Sequence, residues 1–367
     1  MISRDEISEI LARYDLSELT IATLGSHSAL QIFHGARQEG FRTLNICTEE
    51  RRGTYEAFPL SKADEFLIVQ EFKDVLNTDI QQKLIAQNAV VIPHGSFVEY
   101  VNAEHILGKF AVPMFGNRES LRWETDRQKQ RQWLESAGLK MPKEYRDPSE
   151  IDSRVLVKLP GAKGGRGYFS AASEEEFRSK LSDRIRNGIL RSEDPARLTI
   201  QEFVAGVRYY PHFFASLIAT HGTPFNGGSV ELLSMDKRIE PIDESYRGFP
   251  DNVEEYFDFT VTGNQPVVIR ESLLPEILKM GARTAARSVE LFKPGVVGPF
   301  SLETIYSPES GFWTFEISAR VVAGTNLYPT GSPYSAYLYQ EPMSTGRRIA
   351  REMKLAIAQN ALEKVVF

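Results

Sequence analysis

Pro299-Phe-Ser-Leu-Glu-Thr-Ile-Tyr306 and Phe312-Trp-Thr-Phe-Glu-Ile-Ser-Ala-Arg320 are two strand-like runs joined through the turn signal Pro308-Glu-Ser-Gly311. A symmetric loop of two or four residues centred there sets a single register. It places Thr304 opposite Phe315 and Glu303 opposite Glu316, with the paired side chains roughly 5 Å apart on one face. Like charges so placed repel. The other face of the returning strand carries Trp313, Phe315, Ile317 and Ala319, a wholly apolar set that belongs inside a protein. Two inward carboxylates call for a cation. Hard oxygen ligands completed by a substrate phosphate point to Mg²⁺, with Mn²⁺ as an alternative occupant. Two solvated glutamates on a wet hairpin face are the competing interpretation.

The 367 residues imply two or three domains. Charged residues at 25% and hydrophobic residues at 42% describe an ordinary globular chain. Forty-three basic residues against 49 acidic ones leave a net charge of −6, which supplies no global field for nucleic acid or anionic lipid. Cys47 is alone and six histidines are dispersed, so neither a disulfide nor zinc-ligand spacing is present. The acidic start, Met-Ile-Ser-Arg-Asp-Glu, is unlike a secretion signal, and no apolar run approaches membrane-spanning length. A cytoplasmic protein is expected.

Ser3 and Glu6 form a capping box ahead of an amphipathic helix. Short apolar runs then alternate with helical segments at 19–24, 43–46, 66–69, 89–92 and 111–115, the pattern of a parallel sheet flanked by helices over residues 1–121. A charged helix over 121–137 stops at Gly138, with Pro142 beyond it. Residues 122–204 then form a small α+β unit, with strands at 155–159, 168–171 and 197–204 and a helix capped by Ser173. Residues 205–367 form an α+β domain with strands near 208–219, 229–234, 256–261 and 266–270, helices at 271–292 and 344–364, and the hairpin quoted above.

Lys158 ends a strand, and Gly161, Gly164, Gly165 and Gly167 follow it in a turn whose backbone N–H groups can surround a phosphate chain. A flexible hairpin is the plain alternative. The spacing matches neither a Walker loop nor a dinucleotide fingerprint. Farther on, Thr199-Ile-Gln-Glu-Phe-Val-Ala-Gly206 closes a strand between two lobes, where free backbone groups can read an adenine edge and Glu202 can accept from its amine. An ordinary strand end is equally consistent with these residues. Gly25-Ser-His-Ser28 lies at a strand-to-helix turn suited to an anion, or else Ser26 or Ser28 is an N-cap. Arg320 shares a strand face with Glu316, either to meet a transferring group or to pair with one of the two glutamates.

The order of lysine strand, Gly-Gly-Arg-Gly turn, Gln-Glu-Phe-Val-Ala-Gly hinge and late paired glutamates resembles the ATP-grasp superfamily across the whole chain. Within it, Thr23-Leu-Gly-Ser-His-Ser-Ala-Leu30, Ile92-Pro-His-Gly-Ser-Phe-Val98, Phe115-Gly-Asn-Arg118 and Phe315-Glu-Ile-Ser-Ala-Arg320 with Gly324-Thr-Asn326 resemble archaeal formate-dependent phosphoribosylaminoimidazolecarboxamide ligase. The resemblance implies a purine-biosynthetic ligase that uses ATP and formate to formylate 5-aminoimidazole-4-carboxamide ribonucleotide (AICAR), and a homo-oligomer. It implies His27, Ser96 and Asn264 at the imidazole nucleotide, Lys158, Gly164, Gly165, Gly167, Glu202, Val204 and Glu231 at ATP, Glu303 and Glu316 at the metal, and Arg320 at the transferring group. Ser318 stands where many ATP-grasp enzymes have a metal-binding asparagine, and Arg208 where an acid often holds the ribose. A ligase for another small carboxylate and a non-catalytic nucleotide-binding module remain the alternatives.

Overall fold

A computed structural model describes residues 2–159, 168–190, 198–241 and 260–367. The first four apolar runs become β1 (Thr20–Leu24), β2 (Arg42–Cys47), β3 (Glu65–Ile68) and β4 (Ala89–Val91), a parallel sheet in the order β3-β2-β1-β4. Every residue of β1 is buried, as a central strand covered on both faces requires. The fifth run, 111–115, makes only single bridges, Val91 with Met114 and Phe115 with Val366. Pro113 lacks the N–H that a ladder needs.

A small antiparallel sheet follows, built from β5 (Glu144–Tyr145), β6 (Val155–Lys158), β7 (Phe169–Ala171) and β8 (Thr199–Glu202) in the order β5-β8-β6-β7. Tyr145, Val155, Val157, Phe169, Phe177 and Ile200 give it a core of its own. The expected helix over 121–137 is two helices, Arg118–Thr125 and Arg127–Ser136, because Asp126 leaves helical conformation and caps the second with its side chain. That second helix sends Trp133 and Leu134 into the core of the third sheet. It precedes the small sheet in sequence but packs with the large one.

The third sheet contains β9 (Val207–Ser216), β10 (Thr223–Phe225), β11 (Gly228–Ile239), β12 (Gly263–Pro266), β13 (Gly298–Ser307) and β14 (Gly311–Ser318). Its order is β10-β11-β9-β13-β14, with β12 on β11. The strand expected at 266–270 ends at Pro266, and most of the one expected at 256–261 lies outside the described residues. One face of the sheet packs Phe213, Met235, Phe300, Leu302, Phe312 and Ile317 against the helix Leu274–Leu291.

The decisive hairpin differs from expectation in two compensating ways. Its loop is three residues, Pro308–Ser310, with Ser307 opposite Gly311, whose φ of +77° suits the residue after such a turn. A bulge then makes Phe315 the extra residue, so that Thr304 faces Thr314 while Glu303 still faces Glu316. The odd loop and the bulge cancel. The apolar face is corrected with them: Phe312, Ile317 and Ala319 are in the core, whereas Trp313 and Phe315 are only half-buried.

The chain returns to the first sheet through the helix Thr345–Ala358, which crosses the helix Ala29–Gln38. A Cβ on Gly35 would lie 2.1 Å from the backbone nitrogen of Arg347, and one on Gly346 would lie 2.2 Å from the carbonyl oxygen of Gln31. Backbone meets backbone there. Gly35→Ala is therefore expected to force the helices apart and lower stability by about 2–3 kcal/mol, read from the urea unfolding midpoint.

Candidate active site

Alternate residues of the large sheet present a polar stripe on the face away from its helix: Tyr210 and His212 on β9, Ser234, Asp236 and Arg238 on β11, Ser301 and Glu303 on β13, and Glu316 on β14. Arg238 donates to both oxygens of Glu303, at 2.9 and 2.6 Å, and lies 4.0 Å from the Tyr210 ring centroid. Burial works against the Arg238 charge, yet Glu303 outweighs it and holds the guanidinium above its usual range. Among the described residues no hydrogen bond or ion pair reaches the Glu316 carboxylate. Burial, then repulsion from Glu303, pushes Glu316 up to about 6, against the pull of Lys158, Arg238 and Arg127.

Lys158 is buried at the end of β6, its ammonium 5.0 Å from the Phe315 ring centroid. Burial lowers its pKa, and Glu316 and Glu303 partly restore the charge. The small sheet thus delivers a cation to the acid pair on the large one. Gly164, Gly165 and Gly167 lie outside the described residues. Glu202, at the end of β8, accepts from the Lys143 backbone nitrogen at 3.0 Å, and half-buried Val204 follows in the link to β9. Arg208 pairs with Glu240.

The acid pair has the chemistry of a divalent-cation site. Each Glu303 oxygen accepts a bond from Arg238 and keeps a second lone pair, and Glu316 has no hydrogen-bond or ion-pair partner among the described residues. Among the described residues no group of three or more His, Cys, Asp or Glu is placed to hold a metal ion. An ion there needs oxygens from a ligand as well.

A second group of side chains gathers where β1 and β4 end. Ser26 Oγ lies 2.7 Å from Ser96 Oγ, with an Arg51 nitrogen 3.3 Å from Ser26 Oγ. His27 Nδ1 meets Ser28 Oγ at 2.9 Å. Ser28, at φ +69°, stands at the N-cap position but caps nothing with its side chain. The rings of His27 and His94 are 4.7 Å apart. Burial, then the neighbouring His94 and Arg320, lowers His27 to about 2; burial lowers His94 to about 4. Both imidazoles are neutral at neutral pH. The Leu24 carbonyl, 3.0 Å from His94 Nε2, gives that ring its Nε2–H form.

Arg320 connects the two groups. Its guanidinium would stand 3.4 Å from a Cβ on Gly95, and it pairs with Glu124 at 3.0 Å. The alternative of a pairing with Glu303 or Glu316 is thereby corrected: the partner is Glu124, which also accepts from the Ala319 nitrogen at 2.8 Å. Asn264 donates to Asp236 at 2.6 Å.

Glu231 is a further correction. It is completely buried, its carboxylate accepts from Arg348 at 2.8–3.1 Å and from the Tyr339 hydroxyl at 2.6 Å, and Arg348 also pairs with Glu352. This is a buried ion cluster that ties β11 to the helix Thr345–Ala358, and the Glu231 carboxylate is taken up by Arg348 and Tyr339. Glu124, His94, Asp236 and Arg238 were missed from sequence. Only the alternation of Ser234, Asp236 and Arg238 along the second half of β11 could have announced part of that set.

Three sheets with a lysine and an acid pair between the second and third define an ATP-grasp enzyme. Residues 176–367 match a family model described as a domain of unknown function, DUF1297, and residues 21–145 one described as a protein of unknown function, DUF1246. A 5-formaminoimidazole-4-carboxamide-1-(beta)-D-ribofuranosyl 5'-monophosphate synthetase from Korarchaeum cryptofilum is 51% identical over 100% of both chains. The crystal structure of an IMP biosynthesis protein PurP from Thermococcus kodakaraensis superposes with a TM-score of 0.72 at 31% identity, covering 95% of this chain and 100% of that one. The biotin carboxylase domain of the Hydrogenobacter thermophilus 2-oxoglutarate carboxylase, in complex with MgADP and bicarbonate, superposes at 0.61 with 14% identity, covering 90% and 69%. The chain belongs to the family of 5-formaminoimidazole-4-carboxamide ribonucleotide synthetases.

Two outcomes are expected of these side chains. A carboxyl raised from its usual 4.5 to about 6 leaves the fold's stability whole below pH 4.5 and erodes it as pH rises through 6. Glu316→Gln should therefore raise the melting temperature at pH 7.5 in EDTA and leave it unchanged at pH 4. Glu231→Gln, by contrast, should cost about 3 kcal/mol in urea unfolding while the folded protein binds ADP as before in calorimetry.

Proposed function

We infer that the chain joins formate to the 5-amino group of AICAR at the expense of ATP, yielding 5-formamidoimidazole-4-carboxamide ribonucleotide (FAICAR), ADP and phosphate. The observation that carries this is Glu316, unpartnered among the described residues, facing Glu303, with Lys158 beside it and Arg320 leading from the same strand to the Ser26–Ser96 turn pair. Glu303 and Glu316 would hold Mg²⁺, which when bound neutralises phosphate oxygens on the nucleotide. Lys158 adds a buried positive charge at the phosphate chain, and Glu202 and Val204 face the adenine.

Formate oxygen attacks the γ-phosphorus, ADP leaves, and formyl phosphate forms. Arg320, held in place by Glu124, stabilises the negative charge on that group by paired N–H donation. Ser26, His27 and Ser96 bind the ribonucleotide and present its amine, which attacks the formyl carbon. Phosphate departs with the amine's proton. His27 and His94, held neutral by burial, add no charge of their own beside the amine. The domain limits 1–121, 122–204 and 205–367, the cytoplasmic setting and a homo-oligomer belong to the same proposal. Among the described residues no helix is long and apolar enough to cross a membrane.

Purified protein given ATP, Mg²⁺, formate and AICAR should release FAICAR and ADP in equal amounts by mass spectrometry, and acetate in place of formate should give no acylated nucleotide. Glu316→Gln should lower ADP release at least about 100-fold with its circular dichroism intact. Absence of the formylated nucleotide from folded wild-type protein would refute the assignment.

A further inference from the structure

The buried network behind Asn264 has a fixed direction. His212, 2% exposed, has Ser234 Oγ 2.7 Å from Nδ1 and Asp236 Oδ1 2.7 Å from Nε2. The other oxygen of Asp236, itself 1% exposed, lies 2.6 Å from Nδ2 of Asn264. An ionised carboxylate only accepts, so His212 must offer Nε2–H and Asn264 must offer its amide N–H to it. Gly324 closes another side. A Cβ there would stand 2.3 Å from Asp236 Oδ1, so the chain after Arg320 packs directly on the carboxylate. The amide cannot turn over without losing a bond to a buried charge. Its Oδ1, to which none of the described residues donates, is left on the side away from Asp236 as a pure acceptor.

Asn264 is linked through its neighbours to both groups of the candidate site. Asn264 is the cross-strand neighbour of Arg238, which holds Glu303. On the other side, the residues after Gly324 reach the first sheet, where Gln31 donates to Asn326 at 2.8 Å one turn into the helix that begins after Ser28. We propose that Asp236 is a positioning residue which, by orienting Asn264, makes the site select a nucleotide whose base carries a carboxamide N–H over one carrying a carboxylate at the same place. A carboxylate would meet a lone pair on Asn264 and the Asp236 charge behind it, with no proton between them. The inference rests on the AICAR reading above, with Asn264 at the imidazole nucleotide as the family resemblance implies.

The test compares kcat/KM for AICAR with that for its 4-carboxylate analogue, followed by ADP release, in wild type, Asp236→Asn and Asn264→Ala. Wild type should prefer the carboxamide by at least about 100-fold. Asp236→Asn lets the amide at 264 reverse, and it should cut that preference at least tenfold, mainly by raising KM for AICAR and lowering it for the analogue. Asn264→Ala keeps the His212–Ser234 and His212–Asp236 contacts and gives up only the Asn264 bond to Asp236, covers the case in which the first variant does not fold, and should also lose the preference. An unchanged ratio in Asn264→Ala overturns the proposal, as does an unchanged ratio in folded Asp236→Asn. Failure of wild type to turn over AICAR would instead refute the broader functional assignment, a result distinct from both.

Discussion

Placing Glu303 and Glu316 directly opposite each other on neighbouring strands costs free energy, and much of the surrounding polar architecture offsets that cost. Arg238 comes from β11, two strands away from β13, and its fork satisfies both oxygens of Glu303. Lys158 comes from a different sheet, and its burial is tolerable only because two carboxylates lie near it. Glu316 feels Lys158, Arg238 and Arg127, but its carboxylate is bonded to none of the described residues. A polar stripe this deep is costly to a sheet, and the repulsion left on Glu316 is the part of that cost that the described side chains leave standing.

Much of the architecture was legible because burial writes itself into strands as apolar runs. The four parallel strands, the hinge strand and the hairpin were all placed by that signal. Pro113, the split at Asp126 and the bulge at Phe315 were not, since each depends on a single local backbone choice that leaves the apolar pattern unchanged. The hairpin is instructive. An odd loop was misread as an even one, yet the facing pair survived because the bulge restored the count. Register is specified by which side chains must be buried on both sides of the turn, and the loop adapts to it.

Placement was legible where chemistry and position coincided: Lys158 ends its strand and Glu303 faces Glu316, as the sequence pattern requires. Glu231 shows the opposite case. An acid on a buried strand reveals that a cation partner exists, but whether that partner is a ligand or an arginine elsewhere in the chain depends on tertiary contacts. Arg348 is 117 residues away. Asp236, five residues further on the same strand, looks identical in sequence and faces histidine and asparagine instead. Glu124 and His94 act through Arg320 and a backbone carbonyl, contacts that no spacing rule encodes.

The strand β14 and its extension join the acid pair to the turn that carries Ser26 and Ser96. Glu316 and Arg320 are four residues apart, roughly 13 Å along an extended chain at about 3.3 Å per residue. An activated one-carbon acid must cross that gap without meeting water. An arginine is long enough to span much of it while its stem stays packed, and Glu124, gripping both the guanidinium and the Ala319 nitrogen, removes most of the freedom such a side chain would otherwise lose on binding. The His94–Val321 bridge then fastens the strand's continuation to the first sheet. The acid pair and the Ser26–Ser96 turn are thus held at one separation by backbone contacts, so their spacing is built into the fold itself.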